Sequence, residues 1–206
     1  MTVKYSDNSV LEYIREVLKK ESDALRILVD SLDDGFVRAV DLIVNSKGRV
    51  IVTGVGKSGH VGNKISATLA SLGTPSHFVH SDESLHGDLG MVAPEDVVIA
   101  ISHSGRTMEL MAMLPKVKMR GNKIIAICRD RDNALARIAD VVLCTRVEHE
   151  ADYLDTAPTA SSTVTLAIGD ALAVAAARVK GFSQDDFLRF HPGGSLGEDL
   201  SKVLGS

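Results

Sequence analysis

The sequence predicts an α/β fold built on a parallel sheet, and three observations carry that reading. Short apolar runs alternate with segments of helical spacing in the repeating order strand, loop, helix. Val50, Ile51 and Val52 form a β-branched run of the kind a strand covered on both faces needs. That run feeds Gly54, Gly56 and Gly59, a glycine turn that opens directly into a helical pattern.

Before the first strand, Val10, Ile14, Val17, Leu18, Leu25, Leu28 and Val29 recur at helical spacing from Ser9 to Leu32. Asp33-Asp34-Gly35 punctuates, and a second helix follows through Phe36, Val40, Leu42, Ile43 and Val44 until Asn45 and Gly48 close it. The first strand is read as Arg49–Thr53 and its helix as His60–Leu72. After the turn Leu72–Pro75 comes a short strand at Ser76–Val79 and a polar loop from His80 to Gly90. Ala93-Pro94-Glu95 leads into a third strand, Asp96–Ile101. Ser102–Thr107 links it to a helix ending at Arg120. The fourth strand is Lys123–Ile127, the next helix Ala134–Ala139 and the fifth strand Val141–Thr145. A charged loop, Arg146–Asp152, precedes a long helix at about Pro158–Val179, and a mainly polar tail runs from Phe182. The chain therefore reads as a single domain: N-terminal helices at about 9–46, an α/β core at about 49–180 and a tail at about 182–206.

At 206 residues and 45% hydrophobic content, such a domain buries a sizeable core. The formal charge of −4 and the absence of a basic run argue against a nucleic-acid surface. The N-terminus is polar, and the richest apolar stretch, Leu166–Val179, is interrupted by Gly169, Asp170 and Arg178, so no membrane span is expected. Two cysteines, Cys128 and Cys144, end apolar runs without forming a disulfide framework, which fits a reducing cytoplasm. With 4% aromatics and no Trp, sugar stacking on an aromatic platform is not the expected binding mode.

Ligand sites in parallel sheets lie beyond the carboxyl ends of the strands, where three loops carry polar chemistry. Gly54-Val-Gly-Lys-Ser-Gly59 matches G-x-G-x-x-G, with Asp82 about 20 residues later, which invites a dinucleotide reading. Lys57 counts against it by occupying the turn where a pyrophosphate would lie. Ser102-His-Ser-Gly-Arg-Thr107 sets three hydroxyls at a helix start, more than capping requires, and suits a phosphomonoester. Glu109, in the next turn, is equally well explained as a complement to the helix dipole. Glu148, His149, Glu150 and Asp152 form a charge run of the kind usually solvated, promoted here by its place after the fifth strand. His86 and His191 lie in Gly-rich loops. No two histidines have the helical spacing of a zinc site, so metal catalysis and cofactors are not expected.

Taken together, Gly54–Gly59 and Ser102-His-Ser-Gly-Arg-Thr-Met-Glu109 resemble the sugar isomerase (SIS) domain. Leu85-His-Gly-Asp-Leu-Gly90 and His191-Pro-Gly-Gly-Ser-Leu-Gly197 resemble one branch of it, the bacterial arabinose-5-phosphate isomerases of the KpsF/GutQ type, from about Ser9 to the chain end. The resemblance implies a three-layer sandwich with a five-stranded parallel sheet of flavodoxin-like order. It implies interconversion of D-ribulose 5-phosphate and D-arabinose 5-phosphate for Kdo synthesis by a cytoplasmic homotetramer with shared active sites. By position, the family's pocket residues fall on Lys57, His86, Glu109, Glu150 and His191, and its phosphate loop on Ser102, Ser104 and Thr107, with Ser58 nearby. Members usually continue into a pair of CBS domains. With the chain ending at Ser206, a short natural form or a trimmed one is expected, without regulation through CBS domains.

The mechanism this implies is proton transfer between C1 and C2 through an enediolate. Ser102, Ser104 and Thr107 grip the phosphate, Lys57 faces the developing oxyanion, and Glu150 is the C–H base, with a pKa raised by partial burial. His191, from a neighbouring subunit, is the alternative base or ring opener; His86 orients hydroxyls, and Glu109 is either catalytic or a partner of Lys57. A metal between His86 and His191 would inhibit rather than serve the reaction, and CMP-Kdo is open as a feedback ligand. The competing readings are a non-catalytic SIS sensor of sugar phosphate, an SIS isomerase for heptose or hexulose phosphates, and a Rossmann dehydrogenase.

Overall fold

The computed structural model describes residues 7–191. Two helices, α1 (Asp7–Asp30) and α2 (Asp34–Asn45), precede β1 (Val50–Gly54) and α3 (Gly56–Ser71). Then come β2 (Ser76–Phe78), the short α4 (Ser81–Ser84) and a 3-10 turn at Asp88–Met91. The core continues with β3 (Val97–Ile101), α5 (Met108–Met119), β4 (Lys123–Cys128), α6 (Ala134–Ile138) and β5 (Val141–Cys144). The chain then forms α7 (Ala160–Val179) and α8 (Gln184–Phe190).

The five strands form one sheet in the order β2-β1-β3-β4-β5. Every pairing is parallel, with Val52 beside Ile99 and Ile99 beside Ile125. This is the flavodoxin-like order that the resemblance implies, and its switch point lies between β1 and β3. Side chains alternate across the sheet as a period of two demands. Val50, Val52, Ile99, Ile125 and Leu143 pack against α2, α3 and α7 on one face. Ile51, Val98, Ala100, Ile124 and Val142 pack against α5 and α6 on the other.

Three local details differ from the sequence reading. The helix after β1 starts at Gly56 rather than His60, because Val55 is extended and Gly56 has φ +58°, so the turn closes within one glycine. The polar stretch 80–90 folds into α4 and the 3-10 turn, the former capped by the His80 side chain accepting from the Asp82 N–H. The tail holds α8, started by a capping box in which Ser183 and Asp186 satisfy each other's backbone N–H groups. The segment 192–197 of His-Pro-Gly-Gly-Ser-Leu-Gly lies outside the described residues.

α7 is also more continuous than its Gly, Asp and Arg suggest: it has 20 residues and an 18-residue window of mean hydropathy 1.5, long and apolar enough by composition to cross a membrane. Its buried face, including Val164, Ile168 and Leu172, serves instead as the centre of one helical layer. There α3 approaches so closely that a Cβ on Gly169 would lie 2.3 Å from Cγ1 of Ile65. A Gly169→Ala protein should therefore lose about 1–3 kcal/mol in urea unfolding, despite the better helix propensity of Ala. An unchanged or raised midpoint would show that this interface has slack.

Candidate active site

All five strands point the same way, so the loops after β1, β3 and β5 emerge at one edge of the sheet. Beside the β1/β3 switch point, Ser58, Val61, His103, Arg129, Glu150 and Ser161 line a pocket of about 300 Å³. Four separate segments supply its walls: the start of α3, the loop between β3 and α5, Arg129 just after β4, and the chain from β5 into α7.

The loop after β3 is braced by its own hydroxyls. Ser102 Oγ lies 2.7 Å from Thr107 Oγ1 and accepts from the Gly105 N–H at 3.1 Å. Ser104 Oγ accepts from the Arg106 N–H at 3.3 Å. Gly105 has φ +62° and sits so close to Asn133 that a Cβ would fall 2.0 Å from its Oδ1, so glycine is required there on both counts. Thr107 heads α5 with no side-chain cap, and Ser102 is buried. The hydroxyls therefore shape the loop rather than cap the helix. Ser104 is exposed and Thr107 half-buried beside the first N–H groups of α5, which a helix start leaves without intrahelical partners.

Glu150 is held at the head of α7. Its Oε2 accepts from the N–H groups of Thr159 (2.9 Å) and Ser161 (3.1 Å), and its Oε1 accepts from the Ser161 hydroxyl. Asp155 holds the loop from below by accepting from the Glu150 N–H, and its other oxygen lies 2.7 Å from His149 Nδ1. Burial alone would raise the pKa of Glu150. The hydrogen bonds from Ser161 and Thr159, with His103 nearby, outweigh burial and leave the carboxyl below the ordinary Glu value. The expectation of a raised pKa is thus corrected: this carboxylate caps a helix, and donors at a helix N-terminus favour its charge.

Of the residues singled out from the sequence, the pocket brings together Ser58, Glu148 and Glu150, while Ser102, Ser104 and Thr107 do not line it. Lys57 is exposed on the first turn of α3, one residue from Ser58, and Glu109 is half-buried on the first turn of α5. No ion pair joins Lys57 to Glu109 among the described residues. His86 is exposed on the loop after α4. Among the described residues no group of three or more His, Cys, Asp or Glu side chains could hold a metal ion.

His191 lies elsewhere. α7 starts at the site and runs about 30 Å along the molecule. Lys180 Nζ then reaches Thr74 Oγ1 at 3.0 Å, and Phe182 packs on Gly73, both just ahead of β2. Phe190 stacks on Phe182 at 5.8 Å, which keeps the end of α8 there. The His191 ring stacks on Phe187 and its Nδ1 donates to Phe187 O at 2.8 Å. Within one chain, His191 and Glu150 thus occupy opposite ends of the sheet.

Sequence reasoning missed His103, Arg129 and Ser161 as pocket residues. His103 stood inside the hydroxyl motif. Ser161 stood near the start of the long helix, but nothing in the sequence paired it with Glu150, eleven residues earlier.

An open, doubly wound α/β domain with a hydroxyl-rich loop and a carboxylate at its switch point is the class that fold and site define. Comparison with known proteins specifies it further: the SIS domain profile matches residues 42–175, and the chain belongs to the SIS domain family. It is 50% identical over 195 residues to arabinose 5-phosphate isomerase KpsF of Escherichia coli O6:H1 strain CFT073, covering 94% of this chain and 60% of that protein. Over 180 residues it is 50% identical to arabinose 5-phosphate isomerase KdsD of Pseudomonas aeruginosa, covering 87% of this chain and 55% of that one. The chain thus spans 55–60% of the length of these curated relatives. A solved structure of an E. coli CFT073 protein in complex with arabinose 5-phosphate superposes with a TM-score of 0.88 at 42% identity, over 91% of this chain and 100% of that one.

The capping role of Glu150 predicts a pH signature. Its folded-state pKa is depressed, so its contribution to stability is present above the unfolded Glu value and lost as pH falls through the folded one. Glu150→Ala should lower the thermal midpoint at pH 7, and the gap to the parent protein should close as the pH drops below about 4.3. A gap that stays constant with pH would contradict an ionised helix cap.

Proposed function

We propose that this chain is an aldose–ketose isomerase domain interconverting D-ribulose 5-phosphate and D-arabinose 5-phosphate. The observation that carries the reading is the meeting of Glu150 with the loops after β1 and β3 in one pocket of pentose-phosphate size. The half-length identities to arabinose 5-phosphate isomerases and the likeness to a structure complexed with arabinose 5-phosphate support it. We place the enzyme in the cytoplasm, at the entry to Kdo synthesis, with CMP-Kdo as a candidate feedback ligand.

In this reading the phosphate takes the N–H groups at the head of α5 with Ser104 and Thr107, while Ser102 braces the loop and Ser58 lines the wall. Binding energy from this non-reacting end positions the carbon centre. Glu150, ionised at neutral pH, is the acceptor for the carbon-bound proton. Its hydrogen bonds lower its basicity but fix its direction, so no proton has to leave it before turnover. Lys57 reaches from the pocket rim to the developing oxyanion, Glu109 sets its field, and His86 orients hydroxyls. In this reading His191 enters from another copy of the chain, and the assembly, a homotetramer, shares its sites between subunits; the distance between His191 and Glu150 within one chain supports it.

Incubation with D-ribulose 5-phosphate should yield D-arabinose 5-phosphate with or without chelator. Binding without turnover would leave a sugar-phosphate sensor, and conversion of only hexulose or heptose phosphates would move the substrate. Glu150→Gln should bind the sugar phosphate but lose exchange of the C2 proton with deuterated water. Near-parental turnover in Glu150→Gln together with its loss in His191→Asn would transfer the base to His191.

A further inference from the structure

Beside Arg129, Glu148 and Asp155, the pocket holds a histidine that this chemistry leaves idle. His103 sits between Ser102 and Ser104, and its carbonyl accepts from the Arg129 N–H at 3.0 Å, which ties it to the end of β4. Its ring lines the same cavity as Glu150 and Ser58. Nδ1 is shut off from solvent and has no hydrogen-bond partner among the described residues, an arrangement that calls for an explanation in a well-packed loop. It leaves Nε2 as the nitrogen the pocket can reach. In most histidines a bond at one nitrogen fixes the proton at the other. Here no hydrogen bond among the described residues fixes the ring, so it can adopt whichever tautomer a ligand requires.

Burial lowers the pKa of His103. Glu150 and Asp130 pull it up and Arg129 pushes it down, and burial prevails. Glu148 and Asp155 also face this cavity. The ring is therefore neutral at pH 7, with one nitrogen to donate and one to accept. An isomerase must move two protons: one between carbons, which Glu150 handles, and one between the oxygens O1 and O2. The second is a task for a neutral imidazole beside the carbonyl.

We infer that His103 is a catalytic residue whose Nε2 touches the sugar at O1 and O2 and carries the hydroxyl proton between them. The inference rests on the isomerase reading given above. From ketose to aldose, Glu150 takes a proton from C1, the C1–H electron pair forms the C1=C2 bond, and the C2=O2 π pair takes the Nε2 proton. The O1–H proton then returns to Nε2 as the C1=O1 bond forms, and C2 takes the proton from Glu150. Both side chains end as they began.

His103→Gln keeps an amide donor near the Nε2 position but cannot relay a proton. It should retain KM within roughly threefold and lose about 10²–10⁴-fold in kcat. A kcat within threefold of the parent overturns the inference. Imidazole NMR of the unmodified protein, with D-arabinitol 5-phosphate as a non-reacting probe, keeps the test independent of how the variant folds. The His103 ring signals should move on saturation; signals that stay still while the probe's phosphorus resonance reports binding overturn the contact. A parent protein without turnover on ribulose 5-phosphate overturns the isomerase reading itself and the relay with it, a result distinct from an active parent with an equally active His103→Gln.

Discussion

Uniform parallel pairing is the constraint from which the rest of this structure follows. Because β1, β3 and β5 all run the same way, the three polar loops leave one edge of the sheet together. Reversal of strand order between β1 and β3 opens a crevice there, and the pocket forms in it. The same pairing requires the chain to return by crossover helices such as α3, α5 and α6, and α7, which follows the last strand, carries the tail to the far end. One rule of chain direction thus gathers Ser58, His103 and Glu150 and separates them from His191.

Glu150 links architecture to chemistry. Its carboxylate satisfies donors that the head of α7 would otherwise leave open, and Asp155 pins the backbone beneath it. The charge run after β5 leaves Glu148 and His149 exposed to solvent, yet it is more than a solvated surface. It is a loop ordered by its own carboxylates: Asp152 accepts from the N–H groups of Leu154, Thr156 and Ala157. The proposed base gains a fixed direction from these bonds and gives up proton affinity in exchange. Substrate binding has to recover that affinity by excluding water from the pocket.

The sheet was legible because its strands are short, β-branched and punctuated, and Val50–Val52 or Ile124–Ile127 could hardly be anything else. Elements that depend on capping rather than periodicity were less visible. α8 exists through the Ser183–Asp186 box and the Phe182–Phe190 stack, and α4 through a His80 cap, none of which shows as an apolar repeat. Within the site, the hydroxyl loop could be read from three Ser and Thr residues around Gly105. The direction of the Glu150 pKa could not, because it depends on Ser161 and Thr159, which reach the carboxylate only once α7 is in place. His103 escaped notice because its significance lies in a nitrogen without a partner, which only packing reveals.

Separation of Glu150 from His191 is the central claim, and mixing two inactive proteins tests it most directly. Glu150→Gln and His191→Asn variants, each defective alone, should recover a fraction of parental turnover when unfolded and refolded together, because some mixed sites then contain both native side chains. If the co-refolded mixture forms mixed oligomers yet shows no more activity than the two variants apart, the site lies within one chain and the account is wrong.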